Sequence, residues 1–159
     1  MSTSRCLILS RTKMSKRLNS PTSRGEFSHL ITITSPAQSR YPSGIGHYPH
    51  RLQMCFEDTT FSTHCEAPTA RDVERIIAYC QSCLNAGGSM LINCEAGISR
   101  STAAGLIFLY LLHNRNAEVA MRELRTQNPN AHPNTLMVTL ADGLLGCESA
   151  LVGALMSDP

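Results

Sequence analysis

Met90-Leu91-Ile92-Asn93-Cys94-Glu95-Ala96-Gly97-Ile98-Ser99-Arg100-Ser101 places a cysteine at the end of an apolar run and an arginine six positions beyond it. A nearly all-apolar stretch, 102–112, follows directly. The short run predicts a buried strand and the long one a buried helix, so the residues between must form a tight loop. Strand, tight loop, helix is an order that builds an oxyanion site. The loop's backbone N–H groups turn inward, and the helix N-terminus adds partial positive charge. A cysteine at the base of such a loop is stabilised as the nucleophilic thiolate. Arg100 offers a planar fork of donors that matches two oxygens of a tetrahedral anion. Gly97 lets the loop adopt backbone angles that a β-carbon forbids. These residue types suit a loop that binds phosphate and attacks it with sulfur. Cys94 is then the nucleophile, and Arg100 with the amides of Glu95, Ala96, Gly97, Ile98 and Ser99 is the anion cradle.

The run from Cys94 to Ala104 resembles the signature loop of the cysteine-dependent protein tyrosine and dual-specificity phosphatases. It is especially similar to that of small bacterial tyrosine-phosphatase-like proteins. A second stretch resembles those bacterial relatives too: Pro129, Pro133 and Asn134, then Leu140-Ala141-Asp142-Gly143-Leu144-Leu145-Gly146. The resemblance runs from about residue 52 to 146 and is strongest at 91–104. It implies metal-independent hydrolysis of phosphomonoesters through a phosphocysteine, with no cofactor. The implied substrate is a phosphorylated protein, foremost phosphotyrosine, or a small aryl phosphate. The resemblance also implies an upstream aspartate that protonates the leaving oxygen and then activates water. It implies that Ser101 stabilises the cysteine sulfur as a leaving group, although serine there would also suit a helix N-cap. One position departs from the pattern: the family usually carries histidine before the cysteine, and here it is Asn93. An amide can still hydrogen-bond backbone groups but carries no charge. The departure leaves open a weak or inactive phosphate-binding pseudophosphatase. A thiol-dependent arsenate reductase or a sulfurtransferase is a further alternative, with Cys80 or Cys55 as the resolving thiol of a reductase.

Asp58, in Phe56-Glu57-Asp58-Thr59-Thr60, is the candidate acid. It closes a predicted strand at 51–56, at the carboxyl end where open α/β sheets bind ligands, and lies 36 positions before Cys94. Asp72 competes, but it falls in a first helical turn, where an acid is expected for dipole reasons alone. Cys80 and Cys83 form a Cys-x2-Cys inside a predicted helix. Cys80 matches that helix's apolar face, so the pair reads as core rather than as a zinc set with His64 and Cys65. His47 and His50 flank a loop and read as surface residues.

The remaining strands are expected at 5–10, 29–35 and 90–93. Helices are expected at 69–84, 102–112, 116–126, 136–145 and 149–156, with 11–19 as helix or loop. A Pro/Gly-rich loop covers 36–49, and a Pro/Asn turn at 128–134 is placed to line the pocket. Strands alternating with helices, then helices alone, predict one α/β sandwich domain over 1–159. Its central sheet is largely parallel, of about four strands flanked by helices. No apolar stretch is long enough to span a bilayer, so membrane insertion is not expected. The apolar residues 6–9 between Arg5 and Arg11 are too few for a secretory signal, which makes the cytoplasm the expected location. Seven cysteines, one of them needed as a free thiolate, fit a reducing compartment.

The net charge of +2 hides an asymmetry. Arg5, Arg11, Lys13, Lys16, Arg17 and Arg24 all precede the first acid, Glu26, and the remainder of the chain is net negative. The basic N-terminal segment, 1–25, reads as the solvated face of a surface helix. It lacks the interleaved aromatics that stack on bases, so nucleic acid is not expected as a partner. The loop holds Glu95 and no lysine, which predicts that phosphoinositides and RNA are poor substrates.

Overall fold

Four strands pair side by side, all parallel, in the order β1-β4-β2-β3: β1 (Cys6–Ser10), β2 (His29–Thr34), β3 (Arg51–Cys55) and β4 (Met90–Cys94). The structure is a computed structural model that describes residues 3–23 and 25–157. Arg24 of the basic segment and the two ends of the 1–159 domain lie outside the described residues. The helices are α1 (Arg11–Leu18), α2 (Ala70–Asn85), α3 (Arg100–Leu112), α4 (Ala117–Gln127), α5 (Thr135–Leu145) and α6 (Ala150–Ser157). This is the α/β sandwich that the alternation of elements predicts. The segment open to either reading at 11–19 is helical, and the loop at 36–49 contains a short 3-10 turn at Ile45–His47.

β2 and β4 are buried at every residue, which is why their sequences are dominated by apolar and β-branched side chains. Alternate residues go to opposite faces. Ile8, Ile31, Ile33, Met54, Met90, Ile92 and Cys94 join the larger core with residues of α2 to α6. Leu30 and Leu91 pack on the other side with Met14 and Leu18 of α1, Phe27 and Tyr48. α3 is buried from Arg100 to Tyr110, between the sheet and its neighbours α2, α4 and α5. The parallel arrangement brings every strand's carboxyl end to one edge. β1 and β4 finish level there, with Ser10 paired to Cys94, and the chain leaves β2 at Ser35 and β3 at Phe56.

The stretch 140–146 has a structural task. Asp142 of α5 is buried, and its carboxylate accepts hydrogen bonds from the backbone N–H groups of Ser149 (2.9 Å), Leu151 (2.9 Å) and Val152 (3.1 Å). A side chain on one helix thus caps the first turn of the next, where negative charge is favourable. Asp142→Ala should destabilise the protein by about 2–3 kcal/mol, since three backbone donors, that of Leu151 fully buried, lose a charged acceptor. The check is the urea midpoint at unchanged m-value. A midpoint equal to wild type would mean that α6 docks through its apolar residues alone.

Candidate active site

Cys94 ends β4 at the centre of the sheet and is 3% exposed. The loop that follows is shaped by its carbonyls. Glu95 O accepts from Arg11 N (3.0 Å), Gly97 O from Asn128 Nδ2 (2.8 Å), Ile98 O from His132 N (2.8 Å) and Ser99 O from Asn134 N (3.2 Å). The amides of residues 95 to 100 donate none of the hydrogen bonds among the described residues. Carbonyls tied outward and amides left unpaired make a nest for an anion. Gly97 is required twice over. Its φ is +74°, and a Cβ there would lie 2.8 Å from the backbone C of Leu9 and N of Ser10.

Arg100 opens α3 and is 5% exposed. Its Nη1 donates to Ser35 Oγ (2.8 Å) and to Phe56 O (2.8 Å), so the guanidinium is anchored from the ends of β2 and β3. Its Nε is buried with no partner. A buried N–H without a partner costs free energy until an acceptor arrives. Beside it, Cys94 Sγ lies 3.0 Å from Ser101 Oγ, both buried. The N-cap of α3 is Ser99, which makes no side-chain cap bond. Ser101 sits inside the first turn, so its hydroxyl serves the sulfur rather than the helix end.

Asn93 is 1% exposed, and its Nδ2 donates to Cys94 O (3.1 Å). It therefore orients the cysteine's own carbonyl, but it brings no cation to the sulfur. Its Oδ1 is buried without a partner, as is Oγ1 of Thr32, its register neighbour on β2. Asn93→His should raise turnover near pH 6 and speed alkylation of Cys94 by iodoacetamide there, because an imidazolium stabilises a thiolate. If the alkylation–pH profile is the same in both proteins, the amide already supplies what the ring would.

Asp58 is exposed on the loop after β3, and its Oδ1 accepts from Ser99 Oγ (2.6 Å) and Asn134 Nδ2 (2.9 Å). The sequence-derived candidate is thus held against the anion loop. Asp72 is not: it completes a capping box with Thr69 at the start of α2. Three residues with parts in this geometry were given none by sequence reasoning. Ser35 anchors Arg100, Asn128 holds Gly97 O and Asn134 holds Asp58. The two asparagines lie in the Pro/Asn turn expected to line the pocket, and Asn134 also belongs to the stretch that resembles the bacterial relatives. His132 from that turn is exposed and contributes its backbone N–H.

The other singled-out residues stay away from this chemistry. His47, His50 and Cys65 are exposed. Cys80 and Cys83 are buried on α2, and burial pushes both thiols up, Cys83 to about 11. Among the described residues, no three His, Cys, Asp or Glu side chains gather into a metal site. In the basic segment, Arg11 Nε pairs with Glu95 (2.9 Å), while Arg5 and Arg17 share Glu26 and both lie over the Phe27 ring. Lys13 and Lys16 are exposed.

A four-stranded parallel sheet with a cysteine and arginine loop at the carboxyl end of a central strand defines the cysteine-dependent phosphatase class. The dual specificity phosphatase catalytic-domain family matches residues 8–142, and the chain belongs to that family. Dual specificity protein phosphatase 15 of Rattus norvegicus is 28% identical over 111 residues, covering 70% of this chain and 43% of that protein. The chain thus spans less than half the length of this curated relative. Among solved structures, human DUSP28 superposes with a TM-score of 0.66 at 18% identity, covering 91% of this chain and 90% of that one. PTPMT1 in complex with PI(5)P superposes at 0.63 with 15% identity, covering 91% and 94%. These likenesses carry the fold.

Proposed function

We propose that this chain hydrolyses phosphomonoesters as a single domain, with phosphotyrosine in proteins as its substrate class, through a phosphocysteine at Cys94. The observation that carries the reading is Arg100. Its Nη1 is fixed by Ser35 and Phe56 while its Nε–H stays buried and unpaired beside a loop of undonated amides. A phosphoryl group satisfies all of these donors at once, and they stabilise the charge of the transition state. In the first step the Cys94 thiolate forms an S–P bond as the P–O bond to the leaving group breaks, and Asp58 gives its proton to the departing oxygen. In the second, water attacks phosphorus, Asp58 takes a proton from it, and the sulfur leaves as a thiolate steadied by the Ser101 hydroxyl. The residue set needs no metal or cofactor for these steps.

Specific features argue against the other readings. Of the two thiols that could resolve an arsenate reductase's intermediate, Cys80 is wholly buried, which argues against it, and Cys55 is exposed on the edge strand β3. All seven cysteines are free, which supports a reducing compartment. No helix among the described residues is long and apolar enough to cross a membrane. The solved PTPMT1 complex carries a phosphoinositide on this fold, so the fold alone does not set specificity, and local charge bears on it. Here the loop presents Glu95, and Arg11 is paired with that carboxylate. Phosphotyrosine peptide should therefore be hydrolysed in preference to a phosphoinositide or RNA at moderate salt. Faster release of phosphate from a soluble phosphoinositide would refute the substrate class. Measurable phosphate binding with no turnover of any aryl phosphate would replace the whole reading with a pseudophosphatase.

A further inference from the structure

We infer that Asn134 is a positioning residue for the proton donor, with Ser99 as its counterpart in the anion loop. The inference rests on the reading of Asp58 as that donor. Asn134 is 3% exposed, and its polar groups are all engaged. Its Oδ1 accepts from Met137 N (3.0 Å) as the N-cap of α5. Its Nδ2 donates to Asp58 Oδ1 (2.9 Å) and to Thr59 O (3.1 Å). Its backbone N–H donates to Ser99 O (3.2 Å). One buried residue thus joins the acid loop, the anion loop and the start of α5.

Helix capping explains only a part of this arrangement. Serine and aspartate cap as well as asparagine does, but neither carries an amide N–H2 to donate to both Asp58 and Thr59. The Ser99 hydroxyl makes the same point from the other side. It stands at the N-cap of α3 without capping it, and its bond is to Asp58 Oδ1 (2.6 Å). Asp58 itself is exposed, on a loop outside the helices and strands. A free carboxylate there would sample many orientations, and a proton donor works only in a narrow range of them. Two donors on Oδ1 settle which oxygen does the work, leaving Oδ2 to carry the proton toward the leaving group. Ser99 directly precedes Arg100, so the same clamp registers the acid against the group that holds the phosphoryl oxygens.

The test uses Asn134→Ser, which retains a capping oxygen and loses Nδ2, and Ser99→Ala, which removes a hydroxyl that caps nothing. Each is made in wild type and in Asp58→Asn, and kcat and KM are measured on phenyl phosphate and on an aryl phosphate with a strongly acidic leaving group. Each single variant should lower kcat/KM on phenyl phosphate about tenfold, and should leave kcat/KM on the activated substrate nearly untouched, since that ratio excludes the shared hydrolysis of the phosphocysteine. In the Asp58→Asn background neither should lower kcat/KM further, because residues acting through one group are not additive. Equal losses on both substrates, or a loss that persists without Asp58, would reduce Asn134 to a helix cap and overturn the proposal while leaving the phosphatase reading intact. If Asp58→Asn itself fails to discriminate between the two substrates, the acid assignment falls and the clamp with it. Should Asn134→Ser unfold the protein, Ser99→Ala alone decides, since it disturbs no cap.

Discussion

Replacing Cys94 with serine is expected to leave a protein that still binds phosphate and turns nothing over. The loop amides and Arg100 remain in that variant, so the anion site survives. What is lost is the sulfur nucleophile, because a serine hydroxyl in the same place has no neighbouring base to activate it. Arg100→Ala should fail in the opposite way. The thiol remains 3.0 Å from Ser101, but the guanidinium is gone. Removing one such donor costs about a hundredfold or more in turnover, and here the anchor between Ser35, Phe56 and α3 goes with it. Arg100→Lys should not rescue, since an ammonium cannot bond Ser35, Phe56 and a phosphoryl group in one plane. Steady-state kinetics on an aryl phosphate, with phosphate binding by calorimetry, separates the two defects. Residual turnover above about a tenth of wild type in Cys94→Ser or Arg100→Ala contradicts an essential role for that residue.

Asp58→Asn carries the second large effect. On phosphotyrosine, whose leaving phenol needs a proton, kcat/KM, which reports phosphorylation of the enzyme and not the later attack by water, should fall by about a hundredfold, the usual scale of general acid catalysis. On an aryl phosphate with a strongly acidic phenol the loss should be much smaller, because that oxyanion departs without help. Asparagine keeps the shape and can still accept from Ser99 Oγ, so the loop should stay in place. Equal losses on both substrates would remove Asp58 from the role, and a larger loss from Asp72→Asn would transfer it there. The capping box that occupies Asp72 argues against that outcome.

Cys94, Gly97, Arg100 and Ser101 were legible as parts of one loop because they lie within one short run. The apolar elements on either side leave the loop few shapes to adopt. The parallel sheet was legible for a related reason: β2 and β4 are covered on both faces, and their sequences record it. α1 could be read either way because it has only eight residues and buries just Met14 and Leu18. Its helix is stabilised by packing on Leu30 and Leu91 rather than by intrinsic propensity. The start of α3 at Arg100, ahead of the apolar stretch at 102, reflects the loop's geometry rather than hydrophobic pattern. The partners that complete the site were hidden for a different reason. Ser35, Asn128 and Asn134 reach their targets across 65, 31 and 76 positions, respectively. Nothing in local composition encodes which residue meets which at that range.

The most direct test of the account is to trap the covalent intermediate. Wild type and Asp58→Asn are mixed with an activated aryl phosphate, quenched rapidly in acid and mapped by mass spectrometry. The account predicts one phosphoryl group on the peptide carrying Cys94. It should be more abundant in Asp58→Asn, where the water-activating carboxylate is missing, and absent from Cys94→Ser. Turnover by wild type with no phosphoryl group on Cys94 at any quench time, or with the label on another residue, would contradict it.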